Sequence, residues 1–205
     1  VEGWPTSEWP ADALAHGRYA FRVDPRLPSG PYTLTLSLVR PHTERAAGKT
    51  VVINDSLKMD LPPRVFTPPS MQFEVDTAFG DALRLLGYDL EKLDSELMVT
   101  LHWQALRRMD ESYKFFVHLY DGQNEELAAQ KDVIPRDWTY PTNWWEAQEV
   151  VSDHLSLAVG DVKPGMYQLT VGVYDPGTGE RLPIRDAERS SESGAALILQ
   201  QVEVP

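Results

Sequence analysis

The 205-residue chain contains no cysteine, which excludes a disulfide framework, thiolate catalysis and cysteine-ligated zinc. Apolar runs are short, and none reaches the roughly 20 residues a helix needs to cross a bilayer. Basic residues are scarce, 19 against 31 acidic, and the resulting net charge of −12 repels phosphate backbones and anionic membrane surfaces. Nucleic acid is therefore not an expected partner. The opening Val1-Glu2-Gly3-Trp4-Pro5 has neither the basic start nor the apolar stretch of a secretory signal, so the chain reads as an excised segment or a processed product. Gly-x-Ser-x-Gly, His-Glu-x-x-His, P-loop and Gly-x-Gly-x-x-Gly patterns are all missing, which leaves hydrolase, metalloprotease and nucleotide-binding functions without local support. No cofactor and no catalytic residue is expected.

What the chain does contain is a repeat. Trp138-Thr139-Tyr140-Pro141-Thr142-Asn143-Trp144-Trp145, an alternating segment ending near Val159, and Lys163-Pro164-Gly165-Met166-Tyr167 have a shorter counterpart near the N-terminus. There, Trp4-Pro5-Thr6-Ser7-Glu8-Trp9 precedes an alternating segment ending at Val23 and then Pro28-Ser29-Gly30-Pro31-Tyr32. Pro5, Thr6 and Trp9 match Pro141, Thr142 and Trp145 at an offset of 136, and Gly30 and Tyr32 match Gly165 and Tyr167 at 135. Self-similarity of this kind implies a duplicated module.

Period-two alternation of apolar and polar residues, the pattern of a half-buried strand, recurs along the chain. It marks Tyr19–Val23, Tyr32–Leu38, Met71–Val75, Leu97–Gln104, Lys114–Tyr120, Leu155–Val159, Tyr167–Val173 and Ala196–Val204. Phe79–Leu90 fits strand or helix, and Gly80 and Gly87 favour strand. Leu97–Gln104 is paired with Lys114–Tyr120, and Asp121-Gly122 turns the latter back into Leu127–Ile134. Sixteen prolines suit many short strands, and no helix longer than two turns is expected. The fold class is all-β, an antiparallel β-sandwich of Ig-like or jelly-roll-like type, with about eight strands after residue 70. Its divisions are a partial repeat of the module at 1–62, a proline-rich linker at 63–69 and a complete sandwich at 70–205. The partial copy lacks the front half of the module, so unpaired edges and exposed apolar surface are expected to dock or dimerise.

Phe79-Gly80, Leu85-Leu86-Gly87-Tyr88, Leu101-His102-Trp103-Gln104-Ala105, Phe116-Val117-His118-Leu119-Tyr120, Gln130-Lys131-Asp132, Tyr140-Pro141-Thr142 with Trp145, Gly165-Met166-Tyr167, Gly172-Val173-Tyr174-Asp175 and Arg181-Leu182-Pro183 together carry a family resemblance. The sequence resembles a C-terminal β-sandwich module of bacterial multi-pass membrane glycosyltransferase-like proteins, of the dolichyl-phosphate-mannose mannosyltransferase type. It covers residues 66–205 and, as a partial repeat, 4–60. The resemblance implies an extracytoplasmic accessory domain, tethered to the membrane in its parent protein and without transferase chemistry of its own.

The candidate ligand-binding residues are the aromatics Trp138, Tyr140, Trp144 and Trp145, echoed by Trp4 and Trp9. Sugar rings present C–H faces that stack on exposed aromatic planes, and Asp137, Glu146 and Glu149 lie nearby. The alternative is that these rings plug the end of the sandwich, since each buries about 150–250 Å². His102 and His118, read as lying on neighbouring strands, offer metal donors only with a third such as Asp132, and hydrogen bonding is the expected role. The acidic turns 121–126 and 175–180 read as solvated hairpins rather than calcium loops. The expected function is thus a non-catalytic interaction or recognition module, with a glycan as candidate partner. The alternatives are a structural spacer or dimerisation domain, partnered by the rest of a membrane enzyme or a second copy, and a glycosidase-type enzyme.

Overall fold

A computed structural model describes residues 8, 10, 12, 23, 24, 26–40, 45–59, 63–122, 126–184 and 196–204. Trp4, Trp9, the alternating stretch 19–22 and the charged stretch 185–194 lie outside them. Ten strands are described: β1 (Gly30–Leu36), β2 (Val51–Met59), β3 (Phe73–Phe79), β4 (Leu83–Lys92), β5 (Glu96–Ala105), β6 (Lys114–Asp121), β7 (Leu127–Val133), β8 (Val150–Ala158), β9 (Gly165–Tyr174) and β10 (Leu197–Val204). The last eight form an antiparallel sandwich of two four-stranded sheets, ordered β3-β4-β5-β8 and β10-β9-β6-β7. The chain crosses between the sheets after β5, after β7 and after β8, so that β8 returns beside β5 and β9 beside β6.

One expected pairing is corrected. Leu97–Gln104 and Lys114–Tyr120 do not pair: β5 bonds to β4 and β8, whereas β6 bonds to β7 and β9. The eight residues between β5 and β6 make a crossover rather than a hairpin, because both strands carry one fully apolar face and stacking those faces buries both.

The core is what alternation dictates. Leu97, Val99, Leu101 and Trp103 of β5 face Phe115, Val117 and Leu119 of β6 and Leu169, Val171 and Val173 of β9, all essentially buried. Aromatic contacts run through it from end to end: Phe79 meets Trp103 edge-on at 5.1 Å, Trp103 meets Phe115 at 4.6 Å, and Phe115 meets Trp145 edge-on at 6.0 Å. The last step delivers the core to the loop between β7 and β8.

On the outer face of the second sheet, Phe116 is also buried. It lies across Gly172, under the guanidinium of Arg181 at 4.6 Å and beside His118 at 4.4 Å. A Cβ on Gly172 would stand 2.0 Å from the Phe116 ring. Gly172→Ala should therefore lower stability by about 1–3 kcal/mol in urea unfolding, and Phe116→Leu in that background should recover part of the loss. An unchanged midpoint for the single variant would show that the ring moves freely.

β1 and β2 form a separate two-stranded antiparallel sheet. The sequence repeat reappears in it as geometry. Tyr167 donates its phenol to the Lys163 carbonyl at 2.8 Å, and Tyr32 donates likewise to the Pro28 carbonyl at 2.5 Å, the same four-residue reach back. Such a bond fixes the corner where a strand enters its sheet. The stretch expected as a linker is partly docked, since Val65 accepts from the Val150 amide at 2.7 Å.

Candidate functional site

The loop Ile134–Glu149 joins the two sheets, and its aromatics have different fates. Trp145, 1% exposed, is core, with its indole N–H donated to the Tyr140 carbonyl at 3.1 Å. Tyr140 is buried beside it, the two rings stacked at 6.1 Å. Of the two readings of these aromatics, Tyr140 and Trp145 follow the plug: they complete the aromatic contacts of the core. Trp144 is half-buried, and Trp138 is 39% exposed with the Lys114 ammonium 4.7 Å over its ring. At the repeat offset of 136, Tyr140 and Trp145 match Trp4 and Trp9, while Trp138 and Trp144 match Glu2 and Glu8. The repeated aromatics are the buried ones; half-buried Trp144 and exposed Trp138 have no aromatic counterpart in the repeat.

A strained turn presents Trp138. Arg136, Asp137 and Trp138, none of them glycine, all have left-handed backbones, with φ of 53°, 49° and 68°. Pro135 fixes the chain entering the turn, and the turn is held by Trp138 N–H to the Ile134 carbonyl at 2.8 Å and Tyr140 N–H to the Pro135 carbonyl at 3.0 Å. Arg136 N–H donates to Asp153 Oδ1 at 2.6 Å. Asp153 is fully buried on β8, and burial pushes its carboxyl up to about 6 against the pull of that Arg136 N–H. Fully buried Thr142 staples the loop to the neighbouring crossover, accepting from Tyr113 N–H at 2.9 Å and donating to the Glu111 carbonyl at 3.1 Å.

Beside the turn lies a cleft of about 210 Å³ lined by Arg64, Val65, Arg136, Tyr140, Trp144 and Glu149 among others. Buried Glu149 organises its floor. One carboxylate oxygen accepts the Tyr140 hydroxyl at 2.6 Å; the other accepts Glu146 N–H at 2.8 Å and pairs with the Arg64 guanidinium. Arg64 Nη1 also donates to the Tyr140 hydroxyl at 3.1 Å and the Trp144 carbonyl at 3.0 Å. Its Nη2 has no hydrogen-bond partner among the described residues. Arg136 lays its guanidinium 4.8 Å over the Tyr140 ring. Burial and then the adjacent Glu149 carboxylate drive the Tyr140 phenol upward, so it stays a donor. The cleft thus offers two guanidinium groups, a half-buried indole and one carboxylate whose oxygens are both engaged. Two facing carboxylates with room for a water, the requirement of a glycosidase, are not built into it.

The histidines are also corrected. His102 and His118 stand on β5 and β6, which lie in different sheets, and both side chains point outward, so they cannot converge on one ion. His102 bonds Ser152 Oγ and Asp89 Oδ2, each at 2.9 Å, while His118 reaches Asp132 Oδ2 at 3.4 Å. Burial pushes the His118 imidazole down. No group of three or more metal-ligating side chains occurs among the described residues. The Ser152–His102–Asp89 line has the residue types of a nucleophilic triad, yet it lies across the middle of a sheet. The β5 backbone donors around it are spent on β4 and β8, leaving none for an oxyanion.

No family model matches the sequence, and no curated protein matches it. Among solved structures, the chain is similar to the C-terminal domain of Wzt. The likeness has a TM-score of 0.43 at 9% identity and covers 65% of this chain and 84% of that one.

Sequence reasoning missed Arg64, Arg136 and Asp153. Asp153 was findable: it shares the inward column of Val151, Leu155 and Leu157, and an acid in an apolar column is a signal. Arg64 gave none, standing among prolines with no periodicity around it.

Proposed function

We propose that this chain is a non-catalytic recognition module that takes a glycan at the Arg64–Arg136 cleft and the exposed Trp138 rim. The extracytoplasmic, membrane-tethered setting implied by the sequence resemblance is part of the same proposal. The observation that carries it is the left-handed turn. Each non-glycine residue in that region costs about 1–2 kcal/mol. The Trp138 ring is not needed by the core, yet three such residues hold it out, and strain of this kind concentrates where a side chain is kept ready for a partner.

The chemistry suits a sugar. Guanidinium N–H groups donate to ring hydroxyls or a uronate, and the indoles of Trp138 and Trp144 supply flat faces for C–H contact. The cleft is smaller than the roughly 300–1,000 Å³ of sites for drug-sized ligands, so it fits a single ring at the end or side of a glycan.

The test is tryptophan emission titrated with neutral and uronate-containing oligosaccharides, for the wild type and for Trp138→Ala. A saturable change in the wild type, weakened about tenfold in the variant, is expected, the equivalent of about 1.4 kcal/mol. The reading fails if no oligosaccharide produces a response, or if the variant binds as tightly as the wild type. An architectural role has separate support, in the apolar β1–β2 sheet.

A further inference from the structure

The β1–β2 sheet repeats the pairing of the last two strands of the sandwich at both ends. In β1–β2, Gly30 is opposite Met59, Tyr32 opposite Leu57, Thr35 opposite Val52 and Leu36 opposite Val51. In β9–β10, Gly165 is opposite Val204, Tyr167 opposite Val202, Thr170 opposite Ile198 and Val171 opposite Leu197. One bulge recurs: the register slips between Leu34 and Thr35 in one sheet and between their equivalents, Leu169 and Thr170, in the other, while β1–β2 has a further slip between Tyr32 and Leu34 that β9–β10 lacks. A shared bulge and a shared tyrosine corner point to one structure used twice.

The surroundings of the two copies differ sharply. Val171 and Leu197 are 0% exposed, covered by the opposite sheet, whereas Leu36 and Val51 are each 54% exposed. The second edge of β9 is bonded to β6, with Val117 opposite Val171 and Leu119 opposite Leu169; the same edge of β1 has no strand beside it among the described residues. A two-stranded ribbon with an apolar face and a bare edge is marginal in water and a template for pairing.

We propose that β1 and β2 are the closing strands of a second sandwich, completed by a half-sandwich equivalent to β3–β7. A β6-like strand pairs antiparallel with the free edge of β1, and a β3-β4-β5-like sheet covers Tyr32, Leu34, Leu36 and Val51. Strand order selects this occupant. In the complete module the strands run β3 to β10, and the alternating segment ending at Val23 matches β8 in sequence, so the partial copy holds the closing strands and lacks the opening ones. A second copy of this chain is a poorer fit. Its own β6 is already bonded on both edges, to β7 and β9, and its β1–β2 sheet lacks the same strands. This proposal is independent of the glycan proposal.

The absence of cysteine makes the test direct. Single variants Leu36→Cys and Val51→Cys, with Val171→Cys as the buried standard, are labelled with a maleimide in two proteins. One is the 205-residue chain; the other carries an added copy of residues 70–136 joined ahead of residue 1. The extension should slow labelling at positions 36 and 51 by about 100-fold or more, toward the Val171→Cys rate, because labelling then requires opening of a packed core. Unchanged rates in the folded, extended protein would overturn the proposal. So would a 205-residue chain that sediments as a dimer with both positions already protected, since the occupant would then be a second copy. A further measurement does not depend on the extension. Leu36→Asp and Val51→Asp in the 205-residue chain should leave its melting temperature within about 2 °C of wild type, as for any exposed site. A large drop would mean that this face is already buried against the chain's own sandwich, and the proposal would fail.

Discussion

Replacing Glu149 with alanine is expected to cost the folded protein about 3–5 kcal/mol, the range for breaking a buried ion pair from one side. Glu149 is buried, and Arg64, Tyr140 and the Glu146 amide all converge on its carboxylate. Alanine leaves a mostly buried guanidinium with only neutral acceptors and takes from the Tyr140 hydroxyl its acceptor. The same carboxylate ties segment 63–65 to the site loop, so the loss spreads beyond one pair. Urea unfolding should show a lower midpoint at similar slope, with Glu149→Gln falling between alanine and wild type because it keeps the hydrogen-bond acceptor and drops the charge. The pairing of Arg64→Leu with Glu149→Leu should cost less than Glu149→Leu alone, since no uncompensated charge then remains. A loss below about 1 kcal/mol for Glu149→Ala would place the pair in the class of solvent-screened surface contacts and remove the cleft's organising residue.

The difference between what alternation revealed and what it hid follows from the range of each interaction. Leu97–Gln104 declares itself a strand because burial of every second residue is a local property. Its neighbours are not local: which sheet β6 joins depends on stacking two apolar faces, and Phe115, Val117 and Leu119 look the same in either sheet. The histidines were misplaced by the same error. The loop was harder still. Trp138, Tyr140, Trp144 and Trp145 are chemically alike in sequence, and only the end of the sandwich decides that Tyr140 and Trp145 fill it, Trp144 packs half-buried against it and Trp138 stays exposed. The repeat held part of that answer, because the positions matched by Trp4 and Trp9 are the buried ones. Arg64 reaches the site across 85 residues from Glu149, and no pattern of period two or 3.6 carries such a contact.

Asp153→Asn is expected to stabilise the protein, and to do so only above mildly acidic pH. The carboxyl titrates near 6 in the folded state against an ordinary 3.8, because it is fully buried and its second oxygen has no hydrogen-bond partner among the described residues. Between those values the native state holds the proton more tightly than the unfolded chain does. Stability from this group is therefore fully present below about pH 4 and is lost as pH rises through about 6. At pH 7 the charged form costs on the order of 3 kcal/mol, from two pKa units at about 1.4 kcal/mol each. Asparagine keeps the oxygen that accepts from Arg136 N–H and has no charge to bury, so the left-handed turn survives the exchange. Thermal unfolding of both proteins from pH 4 to 8 should give nearly coincident midpoints at the acid end, separating through pH 5–7 to a gain of about 1–3 kcal/mol for the variant. Subtracting one curve from the other cancels the remaining carboxylates, which titrate alike in both. A difference that is flat across the range would show that Asp153 titrates normally and that water reaches it. A destabilised variant at pH 7 would show instead that the charge itself holds the turn, with Arg136 as its counter-ion. The first result ties the shape of the site loop to an uncharged Asp153 in acid and a strained, charged one at neutral pH; the second makes the Arg136–Asp153 pair the hinge on which Trp138 is presented.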